Sequence, residues 1–331
     1  MSQHAGGRVA PGFGAVADAF ERNFTERGEV GAAFAANGKD AVLVRHVVSH
    51  TAGLPGGYRR PVAGGELLDD RLMARLLADE ALVWEPGSTV CYHLLTYGWL
   101  CGELVRRVDG RGVGAFFADE VAAPLGLEVW IGLPAGQQDR VAMLELAADY
   151  GKRAQTDPAL VRADPVRHAT WGNPPILVRD GFDWNAPEAH RAGIPGAGAV
   201  GAVRSIARLY GCLARGGELD GVRLLTADTV ERGARPLARG HDPLTDMPCA
   251  FGTGFALQTD LLPFGPPPDA FGHGGAGGSV HAAWPTQRIG FSYAMNQMRD
   301  DDSDQRPAAL IQALFAAAVG AEHAERSGRL P

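Results

Sequence analysis

The chain has 331 residues, 46% of them hydrophobic, and a formal net charge of −7 at pH 7. This length and composition exclude a globally disordered chain and predict one large domain or two intimate ones. The negative charge and the lack of any basic run argue against a nucleic-acid or anionic-membrane partner. The four cysteines form no C-x-x-C pair and no metal-type spacing, so we expect separate thiols in a reducing compartment.

The N-terminal residues predict no targeting segment. They contain no charged region followed by an apolar run, and prolines and glycines interrupt the sequence that follows. No window reaches about 18 uninterrupted apolar residues, the length that a membrane-spanning helix needs. We therefore predict a cytoplasmic protein with no membrane partner.

The periodicity of apolar residues predicts helices over most of the chain and strands near its end. Helices are predicted at 13–27, 42–49, 66–80, 95–109, 112–122, 202–215 and 307–319, and the start of a strand at 30–34. The proline-rich stretch 134–190 is predicted to be irregular, which makes it a candidate pocket lining. Strands are predicted at 251–260, 280–284 and 289–296, the last two as an antiparallel hairpin. This order favours an α+β architecture over a doubly wound sheet.

Two motifs suggest a cofactor or a metal, and we reject both. Residues 196–201 fit G-x-G-x-x-G, but Pro195 precedes them where a dinucleotide site needs a buried strand. His46 and His50 have a spacing that zinc sites use, but no adjacent glutamate and no third ligand accompany them. We interpret His50 as a residue at a helix C-terminus whose imidazole satisfies the last carbonyls. We predict no cofactor and no metal.

Two other windows contain candidate chemistry. His273 lies among five glycines before a strand, where exposed N–H groups and an imidazole are able to bind an acyl oxygen or a carboxylate. The alternative is a glycine bulge beside a strand that carries a histidine. Tyr92, in a turn before a helix, is either a proton shuttle activated by a nearby cation or a buried structural tyrosine. From the residues alone, these alternatives stay open.

Taken together and in this order, the windows resemble the β-lactamase-like serine hydrolases. That superfamily includes class C β-lactamases, D-alanyl-D-alanine peptidases and family VIII carboxylesterases, and the esterase branch is the most similar. The resemblance covers nearly the whole chain. It rests on residues 44–46, 50–55, 84–87, 92–93, 95–99, 124–127, 252–255 and 272–278.

This resemblance implies an α/β (α+β) fold of the β-lactamase/transpeptidase-like type. An antiparallel sheet flanked by helices is expected to meet a mostly helical part across a cleft. We expect a single domain over residues 1–331, with the sheet part at about 1–40 and 240–331. The helical part and the loops that line the cleft are expected at about 41–239.

The resemblance also implies roles for individual residues. Tyr92 stands where the family has a tyrosine that relays the proton, and His273 stands where β-lactamases carry the lysine of Lys-Thr-Gly. Leu94 replaces the asparagine of the tyrosine motif, a variation more typical of the esterases. The expected catalytic residues are Tyr92 and His273, and the expected substrate-binding residues are Gly274, Gly275, Ala276 and His93, with the N–H of Ala276 as half of the oxyanion hole.

The nucleophile of the family is absent from this chain. The family mechanism uses the serine of Ser-x-x-Lys as the group that accepts the acyl chain, and the lysine assists its deprotonation. The two lysines here, Lys39 and Lys152, are preceded three positions earlier by Ala36 and Asp149. We expect a strand–strand–helix unit, on the order of 50 residues, to be missing near residue 35.

The sequence therefore predicts a carboxylesterase-like homologue that has a small-molecule ester or lactam-like ligand and is inactive as a family-type acyl-serine hydrolase. Two alternatives remain open. One is a pseudoenzyme that binds acyl or peptide ligands without turnover. The other is a hydrolase with a substitute nucleophile, for which Ser279 and His281 are the candidate pair because residues i and i+2 share one face of a strand.

Overall fold

The structure, a computed structural model, describes residues 14–27, 42–56, 60–148, 150–151, 156–300 and 304–326. It divides into two units, residues 1–41 and 42–331. In the first unit the described part is the helix α1 (Gly14–Glu26), at the position that the periodicity predicts. The predicted strand at 30–34 and both lysines, Lys39 and Lys152, lie outside the described residues.

In the second unit, helices dominate up to about residue 233 and strands follow them. The helices are α2 (Val44–Val48), α3 (Asp70–Ala78), α4 (Thr96–Asp109), α5 (Val113–Phe117), α6 (Ala123–Leu125), α7 (Pro158–Ala163), α8 (Pro165–Trp171), α9 (Pro187–Ala192), α10 (Val203–Ala214), α11 (Ala227–Gly233) and α12 (Arg306–Arg326). The strands are β1 (Val129–Ile131), β2 (Glu145–Leu146), β3 (Ala199–Gly201), β4 (Glu218–Leu219), β5 (Val222–Arg223), β6 (Ala238–His241), β7 (Pro248–Phe251), β8 (Ala256–Leu257), β9 (Phe271–Gly274), β10 (Val280–Trp284), β11 (Ile289–Tyr293) and β12 (Gln297–Met298). A π-helical turn (Ala118–Ala122) joins α5 to α6, and 3₁₀ turns form at Gly64–Leu68 and Ala135–Arg140.

The main sheet has six strands in the order β11-β10-β9-β8-β7-β6, and every neighbouring pair is antiparallel. The predicted hairpin is present, with Trp284 of β10 opposite Ile289 of β11. The predicted strand at 251–260 is interrupted instead. Gly252 donates its N–H to the carbonyl of Phe255 at 2.9 Å, and Gly254 has a positive φ of 84°, so a tight turn separates β7 from β8.

Helices cover both faces of this sheet. Trp284 and Phe291 pack with Ile311 of α12 on one face. Phe271 and Ala283 pack with residues of α10 on the other. Along a strand, alternate side chains point to opposite faces. His273 and His281 therefore share the α10 face of the sheet with Phe271 and Ala283.

The helical part has a core of its own around Trp99 of α4, which packs with Leu77, Met73 and Ile194. The helix predicted at 66–80 is divided at Asp69, whose carboxylate accepts the N–H of Leu72 and caps α3. An aspartate in that position satisfies a helix N-terminus better than it continues a helix.

The stretch 134–190 is more regular than predicted. The helices α7, α8 and α9 begin at Pro158, Pro165 and Pro187. Proline suits the first turn of a helix, because its fixed φ is helical and its missing N–H is not needed there. Asp157 and Asp164 cap the first two of these helices. The prolines that indicated irregular chain are thus the starts of short helices.

Among the residues that the structure describes, no helix is both long and apolar enough to cross a membrane. The four cysteines are free thiols, with Cys91 and Cys212 buried.

Candidate active site

The structure brings Tyr92 and His273 together although 181 positions of sequence separate them. Their ring centroids are 5.6 Å apart, with an angle of 37° between the ring planes. Tyr92 lies in the extended segment just before α4, in the helical part, and His273 lies on β9 of the main sheet. The contact therefore joins the helical part to the sheet.

A buried carboxylate holds the backbone of Tyr92. Asp242 accepts the N–H of Tyr92 at 2.6 Å through Oδ2 and the N–H of Leu244 at 2.8 Å through Oδ1. The Asp242 side chain is buried, so losing it would leave these two N–H groups without their acceptor. Nothing in the sequence pointed to Asp242, because the pattern around it predicts neither a strand end nor a motif.

Two buried histidines also hold this segment in place. The N–H of His93 donates to Nδ1 of His50 at 3.0 Å, and the N–H of Leu54 donates to Nε2 of His93 at 3.0 Å. The carbonyl of Cys91 lies 2.6 Å from Nδ1 of His93, so that nitrogen carries the proton. Both rings are therefore neutral acceptors that tie residues 50–54 to residues 91–93.

This geometry assigns His50 and His93 differently from the sequence. The prediction that the imidazole of His50 satisfies helix carbonyls is wrong, because Nδ1 accepts a backbone N–H. His50 also has a positive φ of 59°, a conformation in which histidine is enriched among residues other than glycine. His93 was expected to bind substrate, but it is 1% exposed and both of its ring nitrogens contact backbone groups. Its ring nitrogens are therefore not free to bind a substrate.

The aromatic side chains around Tyr92 form a closely packed group. The His50 ring lies 4.9 Å from that of Tyr92 and 4.2 Å from that of Phe251, and it stacks on Tyr97 at 4.5 Å. Burial raises the pKa of Tyr92 to about 12, so its hydroxyl is protonated at neutral pH and donates hydrogen bonds. Burial also lowers the pKa of His273, and it lowers that of His50 well below its ordinary value, so neither ring is a cation beside the phenol.

His273 leads into an exposed glycine-rich turn. Nδ1 of His273 lies 2.5 Å from the carbonyl of Gly274, so Nδ1 is the protonated nitrogen and Nε2 is an acceptor. The N–H of Gly275 donates to the carbonyl of Ser279 at 2.8 Å and closes the turn. Gly274, Gly275 and Ala276 are exposed, and no described residue accepts a hydrogen bond from the N–H of Ala276.

The expected pairing of Ser279 with His281 is absent. Nδ1 of His281 lies 2.7 Å from Oγ of Ser292, its register partner on β11. The hydroxyl of Ser279 lies over Gly275, where an added Cβ would be 2.2 Å from it. The prediction assumed that residues 279 and 281 lie in one strand, where alternate residues share a face. Ser279 instead belongs to the turn before β10.

Residues of the two rejected motifs contact other parts of the chain. Gly196 packs so closely against α4 that a Cβ on Gly98 would lie 2.1 Å from its nitrogen. Nδ1 of His46 accepts the N–H of Leu43 at 3.2 Å. Within the described ranges, no group of three or more histidine, cysteine or acidic side chains is placed to hold a metal ion.

Comparison with known proteins decides the family. Residues 16–315, most of the chain, match the family described as Beta-lactamase. The chain belongs to the beta-lactamase family. The predicted resemblance and the β-lactamase/transpeptidase-like fold are therefore confirmed.

Individual relatives support this assignment. The chain is 33% identical over 275 residues to the Esterase/beta-lactamase LipL of Mycobacterium tuberculosis, and the match covers 80% of this chain and 61% of that protein. A family VIII carboxylesterase of known structure is 34% identical with a TM-score of 0.73, covering 85% of this chain and 72% of the other. A penicillin-binding protein homologue from Caulobacter crescentus is 35% identical with a TM-score of 0.74, covering 85% and 73%. The chain thus spans about 61% of the length of the mycobacterial relative.

Proposed function

We propose that this beta-lactamase-family chain binds small carboxylic esters beside Tyr92 and His273, and that it does not form an acyl-enzyme by the family's Ser-x-x-Lys route. The observation that carries the proposal is the 5.6 Å contact between these two rings in a chain whose sequence contains no Ser-x-x-Lys. The names of the relatives, which include an esterase and a carboxylesterase, support the choice of ligand.

The polar groups of this region suit an uncharged ester. The protonated phenol of Tyr92 and the N–H of Ala276 are donors for a carbonyl oxygen, while Nε2 of His273 is an acceptor. No described residue hydrogen-bonds to the hydroxyl of Tyr92. A site of neutral donors holds a neutral carbonyl without the desolvation cost of a charged ligand.

Leu94 favours esters over lactams as ligands. In the lactamase branch the corresponding position is an asparagine, whose amide is both a donor and an acceptor. Here the Leu94 side chain packs against the apolar groups around Trp99 and Trp171. It provides no polar group for the amide of a lactam substrate.

Titration calorimetry of the purified chain with ethyl butyrate, and separately with benzylpenicillin, tests this proposal. We expect a saturable heat when the ester is titrated into the chain. The affinity for the ester should fall at least tenfold in Tyr92→Phe and in His273→Ala. The exposed Ser88→Ala variant is the matched control and should bind as the unmodified chain does. Absence of saturable heat with the ester, from folded protein, would overturn the proposed ligand class.

Tighter binding of benzylpenicillin than of the ester would also overturn that class and move the chain to the lactam branch. Continuous heat release after saturation would indicate hydrolysis rather than binding alone.

A further inference from the structure

Three polar side chains form a row across three neighbouring strands of the main sheet. His273 of β9 is the register partner of His281 of β10, and His281 is the partner of Ser292 of β11. Adjacent strands lie about 4.8 Å apart, and register partners share a face. The row starts at the ring contact between His273 and Tyr92 and extends away from it beneath α10.

Ser292 and His281 are hydrogen-bonded to each other. Oγ of Ser292 lies 2.7 Å from Nδ1 of His281, and the Tyr210 ring stacks on the imidazole with centroids 6.5 Å apart and an angle of 20° between the planes. Within the described residues this is the only serine hydroxyl bonded to an imidazole. A serine hydroxyl within hydrogen-bond reach of an imidazole is the pairing by which a base activates a serine nucleophile.

The imidazole of His281 is neutral at pH 7 and free to accept a proton, although its low pKa makes it a weaker base than an ordinary histidine. Burial, together with the neighbouring His273, lowers the pKa of His281 to about 4, so the ring is neutral at pH 7. A neutral imidazole has one unprotonated nitrogen, and Nδ1 in that form accepts the hydroxyl proton of Ser292. Both side chains are partly exposed, so a small ligand is able to approach them.

Three other described serines have structural partners. Ser49 is buried and donates to the carbonyl of Arg45 at 2.7 Å. Ser205 is buried and accepts the N–H of Glu128 at 3.0 Å. Ser279 closes the glycine turn through its carbonyl. None of the three has an imidazole beside its hydroxyl.

We propose that Ser292 is the nucleophile and His281 the general base of an ester-cleaving site that replaces the family's Ser-x-x-Lys. This inference takes its substrate class, small esters, from the proposed function, and it places the cleaved carbonyl beside Ser292, two strands away from His273. Oγ of Ser292 bonds to the ester carbonyl carbon while its proton passes to Nδ1 of His281. The tetrahedral intermediate then breaks its bond to the alkoxy oxygen, and that oxygen receives the proton from His281.

Hydrolysis completes the cycle. A water molecule gives a proton to His281 and attacks the acyl carbon, and the bond to Oγ breaks as His281 returns the proton to Ser292. No oxidant or reductant enters the reaction. The products are a carboxylic acid and an alcohol.

Active-site labelling tests the inference on the full chain. Purified protein is incubated with an alkyl fluorophosphonate, its intact mass is measured, and the tryptic peptides are mapped. Cleavage after Arg288 and Arg299 releases residues 289–299, in which Ser292 is the only serine, whereas Ser279 falls in the preceding peptide, 240–288. We expect one adduct per chain, on Ser292.

Variants extend this test to activity. Ser292→Ala should abolish the adduct and lower hydrolysis of p-nitrophenyl butyrate by at least about a thousandfold. His281→Asn should slow both by about a hundredfold or more. Ser88→Ala, an exposed serine in a turn, should change neither.

The possible failures are distinguishable. An adduct on any other serine overturns the assignment of Ser292 and leaves ester binding intact. No adduct and no hydrolysis, from folded chain that still binds ethyl butyrate, also overturns it and leaves a binding protein. Loss of ethyl butyrate binding itself overturns the proposed function. If Ser292→Ala does not fold, the peptide map of the unmodified chain still decides.

Discussion

The backbone N–H of His93 donates to Nδ1 of His50 across a distance of 3.0 Å. Through this bond the loop that follows α2 fixes the segment that carries Tyr92. Asp242, which precedes β7, fixes the same segment through the N–H of Tyr92. The position of the phenol therefore depends on groups from two distant parts of the chain. Both groups bind backbone N–H groups and leave the hydroxyl of Tyr92 uncontacted.

Stability should depend on pH because of the buried histidines. Burial lowers the pKa of His93 to about 4 and that of His50 well below 6.5. As the pH falls, the unfolded chain binds protons at these two histidines before the folded chain does. The free energy of unfolding therefore has its full value above about pH 6.5 and decreases as the pH falls towards 4. At about 1.4 kcal/mol per pKa unit, His93 alone contributes on the order of 3 kcal/mol.

Urea denaturation at pH 7.0, 6.0 and 5.0 measures this dependence. His93→Gln should lower stability at pH 7 and flatten the slope between pH 7 and 5. His241→Gln, at an exposed position, should leave the slope unchanged. An unmodified chain whose free energy of unfolding is the same at pH 7 and pH 5 would contradict the neutral state of the His50–His93 pair.

Removing the Asp242 carboxylate should destabilise the Tyr92 segment. In Asp242→Ala the buried N–H groups of Tyr92 and Leu244 lose their acceptor, and each such loss costs about 1–3 kcal/mol. We expect a loss of about 2–5 kcal/mol in urea denaturation, together with weaker ester binding. Asp180→Ala, at an exposed turn, is the matched control. Equal stability of the two variants would mean that Asp242 does not hold this segment.

Gly290 should not tolerate a side chain. A Cβ at this position of β11 would lie 1.9 Å from the nitrogen of Gly211 on α10, a backbone atom that cannot rotate away. Gly290→Ala should therefore separate α10 from the sheet and cost at least about 1–3 kcal/mol, as overpacking usually does. Gly136→Ala, which would meet nothing within 4 Å, should be neutral. Thermal unfolding of the two variants compares them, and equal midpoints would contradict the close approach.

The cysteine thiols should be slow to react while the chain is folded. Burial raises the pKa of Cys101 and of Cys249 to about 11, and it also raises the pKa values of Cys91 and Cys212. Because the thiolate is the reactive form, a pKa of about 11 lowers the reactive fraction at pH 8 about a hundredfold relative to 9.0. Iodoacetamide labelling should modify all four thiols quickly in guanidinium chloride and none at that rate in buffer. Rapid labelling of any one in buffer would contradict its burial.

Parts of this architecture could be predicted from the sequence because they depend on local patterns. The Trp284–Ile289 hairpin follows from alternating strands around a short turn, and the end of α4 follows from Gly110, whose φ is 92°. The family followed from the combination of Tyr92, His273 and the glycine turn, none of which is specific alone.

Other parts were not accessible from local patterns. The roles of Asp242 and Ser292 depend on which distant backbone or strand lies beside them, and strand order is a property of the whole sheet. His93 shows the same limit, since its motif position suggests a ligand contact while its burial directs both nitrogens to backbone groups. Proline was misleading at 158, 165 and 187 because it both ends helices and begins them.

The central claim, that an ester binds beside Tyr92 and His273, is tested most directly by following the histidines themselves. The chain is labelled with ¹³Cε1-histidine, the His273 resonance is assigned from His273→Gln, and ethyl butyrate is titrated. We predict that the His273 resonance shifts saturably with the ester while that of the exposed His241 stays in place. A His273 resonance that does not move at saturating ester would contradict it.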